Sequence, residues 1–171
     1  MKALVVYESM FGNTAEIARA VADGLSDVFE VDLADVTGMP PPTGVDLLVV
    51  GAPTHAFGMS RPGTRADAAR QGTVRPGTAD VGLREYLGCA PNLTGVAAAA
   101  FDTKVGKPFL PGSAARRARR ELRRLGCRTP LPAESFRVVG ATGPLAQGEL
   151  KRACHWAATL AAVVLAERHP V

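Results

Sequence analysis

The sequence predicts a doubly wound α/β fold, five parallel strands with helices packed on both faces. Three observations carry that prediction. Apolar runs at Ala3–Tyr7, Leu47–Val50 and Val96–Phe101 show no polar alternation, which is the pattern of parallel strands covered on both sides. Stripes of apolar residues at helical spacing lie between these runs. The elements then alternate as β-α-β-(short)-β-α-β-α-β-α across the chain.

Each element has its own signal. Ile17, Val21 and Leu25 recur every fourth residue after Thr14 and predict the first helix, with Gly24 near its end. Phe29–Leu33 is a short second strand. Twelve residues, with Pro40, Pro41 and Pro42 among them, separate Leu33 from Asp46, so any helix in that crossover has only a turn or two. The stretch Pro53–Gly77 is rich in Gly, Pro, Arg and Thr and reads as a long loop with at most a short helix over Thr64–Arg70. A weaker helix is expected over Ala79–Leu87, turning Leu83, Tyr86 and Leu87 inward. Ala115, Ala118, Leu122 and Leu125 form a further apolar stripe, opened by Ser113 as N-cap and closed by Gly126. Phe136–Val139 is the last strand. Leu150, Ala153, Ala157, Leu160 and Val164 mark the last helix.

Composition narrows the class. The 171 residues suit one domain over 1–171, and 47% hydrophobic with 21% charged residues is an ordinary globular balance. The longest apolar stretch, Trp156–Ala166, has eleven residues where a membrane span needs about 20. Met1–Glu8 does not read as a signal peptide, so a cytoplasmic protein with no membrane association is expected. Cys89, Cys127 and Cys154 are scattered and odd in number, which indicates neither a disulfide framework nor a metal site.

The chemistry is concentrated in Tyr7-Glu8-Ser9-Met10-Phe11-Gly12-Asn13-Thr14, between the first strand and the first helix. A loop there aims main-chain N–H groups at the open edge of the sheet, and the helix N-terminus behind it carries partial positive charge; both suit a phosphate. Ser9, Asn13 and Thr14 add side-chain donors, and Gly12 allows close approach of the backbone. The loop has no lysine and only one glycine. It is therefore neither a nucleoside-triphosphate loop nor a G-x-G-x-x-G dinucleotide turn, which leaves a phosphomonoester held by neutral hydrogen bonds.

These residues resemble the flavodoxin family, whose phosphate loop reads Ser/Thr-x-Thr-Gly-x-Thr in this place: Ser9, Gly12 and Thr14 match, and Phe11 replaces the middle threonine. Gly51-Ala52-Pro53-Thr54-His55-Ala56-Phe57-Gly58 resembles the family's G-x-P-T segment beside the flavin ring. Phe101-Asp102-Thr103-Lys104 occupies the position of the other ring-side loop. The resemblance spans about Lys2 to Ala166. It implies a flavodoxin-like three-layer sandwich with strand order 2-1-3-4-5, and a ligand at the switch point where the three loops meet. It further implies FMN as cofactor and electron transfer as function, a carrier before an FMN-dependent oxidoreductase with its own substrate. No side chain is singled out as catalytic. The ring-side loops offer Phe57 and Phe101 as aromatics, and main-chain amides of Asp102–Lys104 for the pyrimidine edge. Lys104 and Lys107, near the ring, would favour the negative charge that reduction places on it and raise its potential.

The net charge of +4 is local, because six arginines lie between Arg116 and Arg124 on the polar face of one helix. The ordinary meaning of such a run is a solvated face, with docking of an acidic redox partner next. No aromatics interleave with the arginines and no reader motif is present, which counts against nucleic acid. The competing expectation is a cofactor-free interaction module that uses this helix to bind an acidic partner. His55 stands evenly between a ring contact and a solvated loop histidine. His155 and His169 read as structural or solvated.

Overall fold

The computed structural model describes residues 1–55, 58–74, 77, 80–106 and 111–168. Five parallel strands form one sheet: β1 (Lys2–Tyr7), β2 (Glu30–Asp35), β3 (Leu47–Pro53), β4 (Ala97–Val105) and β5 (Glu134–Val138). They are ordered β2-β1-β3-β4-β5, as expected. The helices are α1 (Asn13–Leu25), α2 (Pro62–Ala69), α3 (Leu83–Cys89), α4 (Ala114–Arg124) and α5 (Glu149–Arg168).

Strand side chains alternate between faces, so each apolar run feeds two cores. Ala3, Val5, Leu47, Val49, Ala97 and Ala99 face α1 and α5. Leu4, Val6, Leu48, Val50, Ala98 and Ala100 face α3 and α4. The alanine run of β4 keeps its surface low enough for both helix layers to seat closely. Phe101 follows the parity of Ala97 and Ala99 and enters the α1/α5 core, where its ring meets Phe136 and Trp156 edge-on at 6.0 and 6.3 Å. Its cross-strand neighbour is Gly51, where any Cβ would collide with the ring.

Boundaries shift where end signals compete. Ser113 caps α4 as expected by accepting from Arg116 N–H at 3.1 Å, and Gly126 takes the left-handed conformation after it at φ 92°. The α2 helix begins at Pro62 rather than Thr64, with Pro in the first turn and the Thr64 hydroxyl accepting from Arg61 N–H at 2.9 Å. The α3 helix begins at Leu83, after the expected Ala79, which lies outside the described residues. Leu150 is 46% exposed and off the buried stripe of α5; Glu149 is buried in its place and accepts from Arg137 N–H at 2.9 Å. Among the described residues no helix is long and apolar enough to cross a membrane.

Candidate functional site

A cleft of about 330 Å³ opens at the carboxyl ends of β1, β3 and β4. Its floor is the loop after β1. The Ser9 hydroxyl oxygen accepts from Gly12 N–H and Ala15 N–H, each at 3.2 Å, and folds the loop back on the start of α1. Gly12 sits at φ 99°, a left-handed conformation costly for any residue with a Cβ. The N–H groups of Met10, Phe11, Asn13 and Thr14 have no partner among the described residues. The last two are first-turn amides of α1, which a helix cannot satisfy internally. The loop is thus a concave set of unused donors that lines the cleft together with the Asn13 and Thr14 side chains.

The side-chain donors are more committed than the sequence suggests. The Asn13 amide donates to Thr142 O at 3.1 Å, and Gly143 leaves room for it, since a Cβ at Gly143 would lie 2.5 Å from the Asn13 side chain. The Thr14 and Thr103 hydroxyls pair at 2.7 Å, leaving one hydrogen between them for a ligand.

Pro53, Thr54 and His55 form a second wall. Thr54 N–H donates to Thr103 O, and Thr54 Oγ1 donates to Asp102 and accepts from Ala114 N–H, both at 3.0 Å. His55 and Gly58 exchange main-chain bonds at 2.9 and 2.7 Å. Burial holds the His55 pKa below the usual histidine value, against a hydrogen bond to the Thr64 main chain, with nearby Arg65 adding to the lowering. Its imidazole is therefore neutral at pH 7. Ala56, Phe57 and Lys107 lie outside the described residues, as does His169.

The fourth-strand expectation needs correction at two points. Phe101 is fully buried in the α1/α5 core and does not line the cleft. Asp102, Thr103 and Lys104 belong to β4 and are paired in register with β5, so their main chain is taken up in the sheet rather than offered from a loop. The Asp102 carboxylate, also fully buried, accepts from Ser113 Oγ at 2.5 Å and Ala115 N–H at 3.0 Å and fastens the start of α4. Thr103 and Lys104 do line the cleft.

The short helix expected over Thr64–Arg70 is α2, and the lining residues that it and the turn after it supply are not among the expected site residues. Thr64, Asp67, Ala68 and Gln71 face the floor loop across the cleft. Phe11 closes the gap, its ring 3.3 Å from where a Cβ on Gly72 would stand, and it is the described aromatic residue that lines the cleft. The α2 helix is held from below by Arg65, fully buried, whose Nη1 donates to Ser60 Oγ at 2.9 Å and Glu85 Oε2 at 3.1 Å. Beside it Glu8 Oε2 accepts from Leu83 N–H at 2.8 Å. Gly82 fits only as glycine, because a Cβ there would lie within 2.8 Å of Arg65, Ser60 and Glu8.

A three-layer α/β sandwich with a donor-lined cleft at its switch point is the architecture of a ligand-binding doubly wound protein. Among solved structures the chain is similar to oxidised flavodoxin 2 from Bacillus cereus, with TM-score 0.68 and 19% identity over 95% of this chain and 99% of that one. It is also similar to the flavodoxin of Streptococcus pneumoniae TIGR4, with TM-score 0.67 and 22% identity over 95% and 99% of the two chains. A flavodoxin from the domain Archaea gives 0.65 and 19% over 96% and 99%. No protein-family model and no curated protein sequence matches the chain. The chain has the flavodoxin-like fold, complete from the first strand to the last helix.

Proposed function

We propose that the protein binds FMN in this cleft and transfers electrons. The observation that carries the reading is the floor loop: four unpartnered N–H groups around a left-handed Gly12, at a helix N-terminus, with no charged side chain in Ser9–Thr14. That donor set fits a phosphomonoester. The cleft is at the small end of the range for cofactor sites, so the ligand would be partly exposed. The amides of Met10, Phe11, Asn13 and Thr14 would hold the phosphate. Pro53–His55, Phe11, Ala68 and Gln71 would flank the ring, with Thr103 supplying a hydroxyl. Lys104 is the cation in the cleft wall and would favour negative charge on the ligand. When bound, FMN supplies one- and two-electron redox chemistry; the chain's part is to hold, orient and shield it.

An acidic redox protein is the partner class we assign. Arg116, Arg119, Arg120 and Arg123 line a groove of about 320 Å³ with Pro132 and Ala133, on a helix whose first residues touch Thr54 at the cleft. Three free cysteines suit a reducing, cytoplasmic setting.

The test is the visible spectrum of the purified protein before and after adding FMN, followed through gel filtration. Flavin bands should stay with the protein. Gly12→Asp sets a carboxylate against the phosphate and should abolish retention. Gly12→Ala, whose Cβ meets nothing within 4 Å, separates that charge from backbone strain. Reversal of Arg119, Arg120 and Arg123 to Glu should keep the flavin and weaken partner association in a salt-dependent way. A colourless protein that leaves added FMN fluorescent would replace this reading with the cofactor-free acidic-partner module.

A further inference from the structure

A second, smaller recess adjoins the cleft. It holds about 50 Å³ between the turn after β3, the start of α3 and the first turn of α4. At roughly 30 Å³ per water, that is room for one small chemical group. His55 and Thr64 line both this recess and the main cleft, so the two spaces share a wall. The other polar lining is three guanidinium groups, Arg61, Arg84 and Arg117. No carboxylate pairs with any of them among the described residues.

Two of these arginines are positioned, not merely nearby. Arg84 Nε donates to Ser60 O at 3.1 Å and Nη2 to Met59 O at 3.0 Å, which anchors one edge of the guanidinium and leaves Nη1 uncommitted. Arg117 lies across Gly58, with Cδ and Nε each 2.6 Å from where a Cβ would stand, so any side chain at 58 would displace it. Three cations held around a small space repel one another unless an anion joins them. Guanidinium forks are the donors best matched to a carboxylate or a phosphate.

We infer that this recess is a subsite for an anionic group, a carboxylate or phosphate, on a small substrate whose remainder extends past His55 into the cleft. The inference rests on the FMN reading for what the substrate meets there; binding of the anion does not. On the FMN reading, Arg84 and Arg117 would determine which small organic anions are admitted beside the flavin.

The test is NMR of the FMN-loaded protein, with arginine Nε–H resonances followed during separate titrations with acetate and inorganic phosphate. Occupation of the floor loop by FMN removes the competing phosphate site. Saturable shifts are expected at Arg84 and Arg117 and none at Arg19, which is exposed on α1 at the opposite face. The tighter of the two probes names the group. Arg84→Met and Arg117→Met should each weaken binding roughly tenfold or more while the flavin spectrum is unchanged. Gly58→Ala should do the same with every charge retained, a result that general electrostatics would not produce. Should Arg84→Met fail to fold, exposed Arg117 carries the test. Non-saturating shifts of equal size at Arg19 would mean ionic screening and overturn the subsite. If the protein takes no FMN, the same titration still separates the two ideas, since the floor loop answers at the Phe11 and Asn13 amides and the recess at Arg84 and Arg117.

Discussion

Glu8 and Asp102 are two buried carboxylates at the carboxyl ends of strands, and each fastens the start of a helix, α3 for Glu8 and α4 for Asp102. Glu8 is 1% exposed and Asp102 0%. Each leaves one oxygen without a hydrogen-bond partner among the described residues, Glu8 Oε1 and Asp102 Oδ1. Their surroundings differ. Asp102 is ringed by neutral donors, the hydroxyls of Ser113 and Thr54 and the Ala115 amide, all converging on one oxygen. Glu8 has a hydroxyl and an amide too, yet shares its pocket with Arg65 and a second carboxylate, Glu85. One cation between two acids cannot compensate both, and burial pushes the Glu8 pKa up. Asp102 is held by neutral donors alone. Glu8 also meets a cation and a second acid.

The largest break in this comparison comes at Arg65. Its guanidinium is fully buried while its partner Glu85 is a third exposed, so Arg65→Met leaves Glu8 and Glu85 facing each other without the cation. Removing one member of a buried pair costs about 3–5 kcal/mol, and the exposure of Glu85 puts this case at the low end. The denaturant midpoint should fall accordingly, and α2, the wall across the cleft, should lose its anchor, weakening FMN retention. Arg65→Lys keeps the charge without the fork and should fall between. An unchanged midpoint in the Met variant would show that apolar packing alone holds α2 in place.

Asp102→Ala tests the other joint. It strips the Ser113 hydroxyl and the Ala115 amide of their acceptor together, a loss of roughly 1–3 kcal/mol. Hydrogen exchange should quicken in the first turn of α4 while the amides of α3 stay protected. Equal quickening in both helices would mean that the two carboxylates act through one shared framework, and the contrast between them would fall.

The contrast also explains what could be read in advance. The shape of the loop Ser9–Thr14 is legible because it is built on one left-handed glycine and the Ser9 hydroxyl, which local sequence specifies. The alternation of strands and helices was legible for the same local reason. Phe101 was misplaced because the unbroken apolar run Val96–Phe101 hides parity, and only the register against Gly51 shows which face the ring takes. Nothing in the Gly-, Pro-, Arg- and Thr-rich stretch singles out Arg65, yet among the described residues it is the largest fully buried side chain. Its partners, Ser60 and Glu85, are 5 and 20 residues away, and Glu8 reaches it only through tertiary packing. The short helix expected over Thr64–Arg70 is present as α2, but which of its residues meet the cleft is not legible, because a helix that buries an arginine and an alanine has no apolar stripe to orient it.

The smallest expected effect is also the sharpest test of Glu8. Burial raises its pKa above 4.5, against the Ser60 hydroxyl, the Leu83 amide and Arg65, all of which favour the carboxylate. The folded protein therefore keeps this proton to higher pH than the unfolded chain does. That contribution to stability is complete below about 4.5 and is lost as pH rises through the folded value. Glu8→Gln removes the titration and keeps the shape. The stability of the variant relative to the parent should rise with pH across that window, by at most about 1.4 kcal/mol per unit, and be flat on either side. Glu149 and Asp46 have lowered pKa values and act in the opposite sense, losing stability as pH falls, but they lie apart from Glu8, are common to both proteins and cancel in the difference. Glu85 is lowered too and shares Arg65 with Glu8, so the comparison is repeated in a Glu85→Gln background. Denaturation of the pair at several pH values reads that difference directly. A gap that runs the other way would mean that Arg65 dominates and Glu8 is an ion-paired carboxylate.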